Sequence, residues 1–293
     1  MTPAPHLPEI VVSGAVTDWL GSSKYSNSLA LADLEQAALR GDLDDSFLQS
    51  EAWMGFADRV RELWRRYDHV VLRGVPEVGE GASLLLVSLA LSHRFKPYRK
   101  DKVVKHFRMS PWTTDLSHTL KEGHFHTDIN TAPLPPVVTA IQCKVPDPGS
   151  PSQGELRVAR LYELLAELHR RNALAALAFL QETDVSMVNE TSPGGWMGCC
   201  IAEGRIRFHP ETLRAGQRRF GKNPIDLESH LQLIHDAALS VSTPIHLGAG
   251  EVLLVSNTRA LHYRGACTVV FQSFPRVFTS REVYVLHMLD EPS

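Results

Sequence analysis

Residues 122–130, Glu-Gly-His-Phe-His-Thr-Asp-Ile-Asn, place His124, His126 and Asp128 at alternate positions. In an extended strand, residues i and i+2 share a face. His126 and Asp128 can therefore turn a ring nitrogen and a carboxylate oxygen toward one ion without bending the backbone. The pair supplies two thirds of a 2-His-1-carboxylate set, the set that holds non-haem Fe(II). Alone it is a weak signal, because a chain with 14 histidines produces some His-x-Asp pairs by chance. His124 shares the face and reads as an alternative ligand, as a partner that orients a ligand, or as a partly exposed ring.

A candidate for the third position lies in the run Gly250 to Gly265, which reads strand, polar turn, strand, with His262 in its second strand. His262 lies 134 residues after Asp128 (262 − 128), a separation that the paired strands of a jelly roll can close. Arg276 follows 14 residues later (276 − 262), in Val270-Phe271-Gln272-Ser273-Phe274-Pro275-Arg276-Val277-Phe278. An arginine in an apolar strand is costly unless its charge is paired, and a bound dicarboxylate would pair it through two parallel hydrogen bonds. A His/Asp/His set also suits zinc, but zinc gives no reason for that arginine.

These residues need elements to carry them. Residues 46–66 place Phe47, Trp53, Phe56, Val60, Leu63 and Trp64 at helical spacing. His69–Gly74 reads as a short strand stopped by glycine, 82–95 as a buried helix, and 103–109 as a polar strand. Pro133-Leu134-Pro135-Pro136 is a stiff turn before a β-branched strand, 137–145. A further strand covers 154–159, one long Leu/Ala-rich helix 161–181, a hairpin 184–210 with its turn at Ser192-Pro193-Gly194-Gly195, and a helix 226–241. The last third is β: 244–247, 251–256, 260–264, 268–278 and 282–289. Strands on both sides of a helical insertion, without regular βαβ alternation, argue against a doubly wound parallel sheet. They predict a mainly β chain with flanking helices (α+β), built on an antiparallel jelly roll. One domain is expected over 1–293, with a helical N-terminal part (about 1–68) and a helical insertion (about 160–242).

Composition narrows the partners. The net charge is −3, and 43% of the 293 residues are hydrophobic. That balance carries no nucleic-acid footprint and no polybasic membrane patch, so a small-molecule substrate is expected. No apolar run approaches the roughly 20 residues of a membrane span, and the N-terminus lacks the regions of a signal peptide. Cys143, Cys199, Cys200 and Cys267 have neither zinc-like spacing nor the number for a disulfide scaffold, which predicts a reducing, cytoplasmic setting.

His126-Thr127-Asp128, then Asn257-Thr258-Arg259-Ala260-Leu261-His262-Tyr263-Arg264, then Arg276, resembles the Fe(II)/2-oxoglutarate-dependent dioxygenases. Among them it is most similar to the taurine dioxygenase and clavaminate synthase-like branch. The resemblance spans about residues 69–285 and implies a double-stranded β-helix core. It implies Fe(II) on His126, Asp128 and His262, with 2-oxoglutarate and O2 as cosubstrates. Arg276 would anchor the 2-oxoglutarate carboxylate, and Arg264 would touch the same molecule or pair with a carboxylate. The reaction implied is oxidation, hydroxylation first, of a small polar molecule such as an amino acid or natural-product intermediate. Desaturation, cyclisation, or a non-catalytic metal-binding jelly roll are the alternatives. Asp128 stands where halogenases of the superfamily carry Gly or Ala, so no ligand position is vacated for chloride. The chain departs from the pattern at Gln153-Gly154-Glu155-Leu156-Arg157, where Leu156 replaces a threonine that binds 2-oxoglutarate in many relatives. Arg108, Glu122, Asn130 and Arg207 are the substrate candidates, being polar and close to strands that approach the metal. Each also reads as a solvated or ion-paired side chain.

Overall fold

In the computed structural model, which describes residues 7–22, 28–43, 46–189, 194–221 and 223–291, a short strand β1 (Glu9–Val11) precedes three helices. These are α1 (Ala15–Leu20), α2 (Ser28–Arg40) and α3 (Glu51–Tyr67). α3 follows directly from its sequence. Trp53, Phe56, Val60 and Trp64 recur on one face and are buried, and the Ser50 side chain accepts from the Trp53 N–H at 3.2 Å. Asp68, in the left-handed region (φ 57°), ends the helix and turns the chain into β2 (His69–Arg73). The helix expected over 82–95 is shorter, α4 (Ala82–Ser88), with every residue buried. Short strands β3 (Phe95–Lys96) and β4 (Lys105–Arg108) lead to the long β5 (Val138–Val145).

After β6 (Leu156–Arg160) the long helix expected over 161–181 is two, α5 (Leu161–Arg170) and α6 (Leu174–Gln181). The break is at Asn172, which takes φ 54°; asparagine tolerates that left-handed geometry and stops a helix. The hairpin β7 (Asp184–Val188) and β8 (Gly195–Cys199) follows, with residues 190–193 of its expected turn outside the described residues. Two short strands, β9 (Ile201–Ala202) and β10 (Arg205–Ile206), come next, then α7 (Pro210–Phe220), a helix the sequence reading did not assign. Its start is marked by Pro210 in the first turn and by His209, whose Nδ1 accepts from the Glu211 N–H at 3.2 Å. α8 (Leu227–Val241) closes the insertion. The C-terminal strands are β11 (Thr243–Ile245), β12 (Val252–Ser256), β13 (Ala260–Arg264), β14 (Val269–Ser273), β15 (Val277–Ser280) and β16 (Glu282–Met288).

Two sheets face each other. The larger runs β1-β2-β12-β5-β16-β3, with β4 also on β16; the smaller runs β11-β6-β13. Apart from the parallel β1–β2 pair, these ladders are antiparallel. Val71, Ile141, Leu253, Val255 and Val283 from the larger sheet meet Leu156, Val158, Ile245 and Ala260 from the smaller one. The alternate residues of the larger sheet, Leu72, Ala140, Val252, Leu254 and Leu286, pack outward against Trp53, Val60, Trp64 and Leu85 of the N-terminal helices. Ala159, Leu261 and Tyr263 of the smaller sheet pack outward against Leu164, Leu168, Leu231 and Ile234 of α5 and α8. Both faces of β12 are therefore covered, which is why Val252-Leu253-Leu254-Val255 reads as an unbroken apolar run rather than an alternation.

Candidate metal centre

His126 and His262 meet through one backbone bridge. The His126 N–H donates to the His262 carbonyl at 3.0 Å, and the His262 N–H returns to the His126 carbonyl at 3.1 Å. Residues exchanging both bonds in an antiparallel pair stand directly opposite and project to the same side, so the two ring centroids lie 4.4 Å apart. Segment 122–130 is not the continuous strand expected from its alternation. It makes that single bridge and then turns at 128–130. Asp128 still faces the rings, with Oδ1 at 3.5 Å from His126 Nε2 and Oδ2 at 3.4 Å from His262 Nε2. One nitrogen or oxygen from each of His126, Asp128 and His262 lies within 4.8 Å of the others.

The turn is pinned from the distal motif. The Asn257 side chain accepts from the Asp128 N–H (2.6 Å) and donates to the carbonyls of Asp128 (3.0 Å) and Pro136 (2.9 Å). Two arms reach the carboxylate itself, since Thr139 Oγ1 donates to Asp128 Oδ2 at 2.8 Å and His287 Nε2 lies 3.1 Å from the same oxygen. His287 thus touches the carboxylate. Thr139 and His287 stand opposite each other across β5 and β16, which aims both at the same oxygen. Replacing Asn257 with alanine is expected to weaken Fe(II) binding by about 10–100-fold, the usual effect of losing a residue that orients a ligand, while the fold is kept. Anaerobic iron titration with circular dichroism as control checks this, and unchanged affinity refutes it.

The electrostatics prepare the group for a cation. Burial pushes the Asp128 carboxyl up, but the charge of His262 and hydrogen bonds from His126, His262 and His287 outweigh it and hold the group well below the usual carboxylate range. His126 Nδ1 donates to the His124 carbonyl at 2.7 Å, so Nε2 is the nitrogen that faces Asp128 and, once it gives up its proton, the one that a metal would take. His262 is buried with no hydrogen-bond partner on Nδ1 among the described residues, so its Nε2 is the end committed to the site. Two imidazole nitrogens and one ionised carboxylate, with no thiolate in the set, fit a non-haem Fe(II) ion. His124 turns away, its Nε2 lying 3.2 Å from Glu211.

Arg276, the expected carboxylate anchor, does not lie in a buried strand. Residues 268–278 form no single strand. They fold back as the hairpin β14/β15, and Arg276 stands exposed on its turn, in a surface groove with Trp112, Pro275 and Phe278. The cause is Pro275, which has no N–H and cannot continue a ladder; the Arg276 N–H instead closes the turn on the Ser273 carbonyl at 3.0 Å. The buried arginine is Arg281, 4% exposed, at the entry to β16. Burial pushes its pKa down, with Cys267, Cys143, Arg264 and Asp147 around it, and it forms no ion pair among the described residues. Arg264 shares a face with His262 on β13. It donates to the carbonyls of Gly265 (3.1 Å), Lys121 (2.8 Å) and Leu116 (3.4 Å) and makes no carboxylate pair among the described residues. Leu156 lies opposite Arg264 in the β6–β13 ladder and is buried, so apolar surface occupies that position.

Of the substrate candidates, three are engaged elsewhere. Arg108 is exposed, lies 3.5 Å from Glu282 and stacks on Phe278. Exposed Glu122 accepts the Tyr263 hydroxyl at 3.0 Å, on the face of β13 opposite His262. Asn130 is buried and donates to Thr212 Oγ1 (2.7 Å) and Met187 Sδ (3.0 Å). In each case a local partner absorbed the polarity that made the residue a candidate. Arg207 is different, since it is half-buried and its hydrogen bonds go to backbone carbonyls. His209 also borders the centre, with its ring 4.9 Å from His126, and burial pushes its pKa down to about 3.

Two facing antiparallel sheets with a His/Asp/His cluster where one end of the smaller sheet meets a turn define a double-stranded β-helix with a metal-binding group at its mouth. The model of the family "Taurine catabolism dioxygenase TauD, TfdA family" matches residues 35–270, and the chain belongs to that family. The fold agrees with solved structures. An asparagine oxygenase in complex with Fe(II), 2S,3S-3-hydroxyasparagine and succinate aligns with TM-score 0.64 at 13% identity, over 96% of this chain and 93% of that one. The non-haem iron oxygenase OrfP with Fe and alpha-ketoglutaric acid aligns with TM-score 0.63 at 17% identity, over 97% and 94%. OrfP with Fe, succinate and (3R,4R)-dihydroxy-L-Arg gives TM-score 0.65 at 16% identity, over 96% and 94%. No curated protein sequence matches the chain. Among the described residues, no helix is long and apolar enough to cross a membrane.

Proposed function

We propose that this protein is an Fe(II)/2-oxoglutarate-dependent oxygenase that hydroxylates a small polar substrate of the amino-acid type. The observation that carries the reading is the convergence of His126, Asp128 and His262 within 4.8 Å. His126 and His262 would hold the ion through Nε2 and Asp128 through a carboxylate oxygen. Bound Fe(II) supplies O2 activation coupled to oxidative decarboxylation of 2-oxoglutarate. The chain's own groups set the geometry around it. Thr139 and His287 hold Oδ2 of Asp128, and Asn257 fixes the turn that presents it. Arg281 takes the distal carboxylate of the 2-oxo acid, because a buried guanidinium without an ion pair is stabilised most by a bidentate anion. Leu156 and the apolar residues between the sheets keep water from that carboxylate. The amino-acid character of the substrate is supported by the ligands named for the asparagine oxygenase and OrfP structures. A single oxygenase domain in a reducing cytoplasm completes the reading.

The test is spectroscopic and then chemical. Anaerobic addition of Fe(II) and 2-oxoglutarate is expected to give the weak visible metal-to-ligand charge-transfer band, and admission of O2 with an amino-acid panel is expected to release succinate. Neither band nor succinate would refute the oxygenase reading, and Zn(II)-dependent hydrolysis in their place would favour the zinc alternative.

A further inference from the structure

Segment 205–209 passes the metal centre in extended form. The Ile206 N–H donates to the Thr258 carbonyl (2.7 Å), the Arg207 N–H to Cys200 (2.8 Å), and the Thr127 N–H to Phe208 (2.7 Å). Phe208 returns a bond to Thr127 Oγ1 at 3.0 Å and is buried in the outer apolar layer beneath α8. Alternation then puts Arg207 and His209 on the opposite face, and the position of the His209 ring, 4.9 Å from His126, marks that face as the one turned to the metal centre.

Arg207 is poised there without a counter-ion. Its Nη1 donates to the carbonyls of Asn130 (3.2 Å) and Ala132 (2.8 Å), Nη2 reaches Pro133 at 3.4 Å, and the guanidinium lies 4.5 Å over the Trp196 ring. Arg73, Arg160, Arg214 and Arg259, also partly buried, each pair with a carboxylate. Arg207 has no ion pair among the described residues, so a half-buried cation is fixed in orientation but not neutralised. Its Nε–H and the second hydrogen of Nη2 are left as the edge that binds a carboxylate through two parallel bonds. His209 adds a donor. Its Nδ1 accepts from the Glu211 N–H, so in the neutral ring Nε2 carries the proton.

We propose that Arg207 and the Nε2–H of His209 form the subsite that recognises a carboxylate of the substrate, so that the enzyme selects acids over their amides. The proposal rests on the oxygenase reading and specifies what its substrate must present beside the metal.

The test uses anaerobic protein loaded with Fe(II) and 2-oxoglutarate. The probes are the twenty common L-amino acids and, for those that bind, the carboxamides of each carboxylate. Binding is read by calorimetry and by perturbation of the charge-transfer band. At least one amino acid is expected to bind, and masking one of its carboxylates as the amide should cost about 100-fold in affinity. Arg207→Gln should bring the acid down to the affinity of its amide and leave the amide within about 2-fold. Arg207→Lys should fall between. His209→Ser, which keeps a capping side chain on α7, should cost about 10-fold with the acid only. The band from 2-oxoglutarate alone should be unchanged in all three. Equal loss for acid and amide in Arg207→Gln would mean that Arg207 only supports the 130–133 loop and would overturn the proposal. So would an amide binding as well as its acid, or no amino acid binding to protein that shows the band. If the wild-type protein shows no band, the oxygenase reading fails first, and the subsite with it.

Discussion

Replacing His262 with alanine is expected to lower Fe(II) retention and succinate formation by about 1000-fold or more, whereas His124→Ala leaves both within about 3-fold. The first change removes one of the three proposed ligands, a larger loss than the 10–100-fold that follows from disturbing a residue behind a ligand. His262 is also the backbone partner of His126, but that bridge is made by main-chain atoms and survives the substitution. The second change removes a ring that lies against Glu211 and Arg214 and not against the carboxylate of Asp128. The one contact residue 124 makes to the site is its carbonyl, which accepts from His126 Nδ1, and alanine keeps it. Iron content after anaerobic gel filtration and succinate release measured on both variants decide the matter. Equal losses would move the ligand assignment from His262 to a set that includes His124.

Arg281→Met is expected to raise the KM for 2-oxoglutarate by about 100-fold, with Fe(II) affinity in the absence of the 2-oxo acid unchanged; Arg276→Ala should leave that KM within about 2-fold. A charge-assisted bidentate pair is worth about 2–3 kcal/mol, and 1.4 kcal/mol is a factor of about ten. Methionine fills the space of an unbranched side chain and removes a buried charge that has no ion pair among the described residues, so the melting temperature should not fall. Saturation curves for 2-oxoglutarate at fixed substrate, with thermal melts alongside, test both variants. A rise in KM for Arg276→Ala alone would mean that the turn of the β14/β15 hairpin reaches the cosubstrate and that Arg281 is a structural residue.

These two arginines show how far the sequence could be read. α3 was legible because its burial pattern is written in residue spacing, and β5 because a short, β-branched apolar run after a stiff turn reads as a buried strand. His126, Asp128 and His262 were legible as a set because their types are rare together and a resemblance supplied the third. Two of the misread elements share one physical origin, a single residue that overrides its neighbours. Pro275 breaks an apolar run into a hairpin and carries Arg276 to the surface. Asn172 splits one helix into two by taking a positive φ. Residues 210–220 carry a helix whose buried face, Leu213, Ala215 and Gly216, is too small to stand out as a hydrophobic stripe. The partners of the substrate candidates Asn130 and Glu122 were not legible, because Thr212 and Tyr263 lie 82 and 141 positions away and no local pattern reveals them.

The bridge between His126 and His262 also sets an order of events during synthesis. The two residues are 136 positions apart (262 − 126), and the helices α5 to α8 intervene. Contacts of such separation form late, after the loop between them has been closed. A nascent chain that has emerged only as far as α8 carries His126 and Asp128 but not the ring that completes their set. With two ligands it has little means of discriminating iron from the tighter-binding later transition metals. Selection of the metal is therefore deferred until β13 docks beside β6. Loading then becomes a property of the finished barrel and of the metal supply it meets, not of the emerging polypeptide.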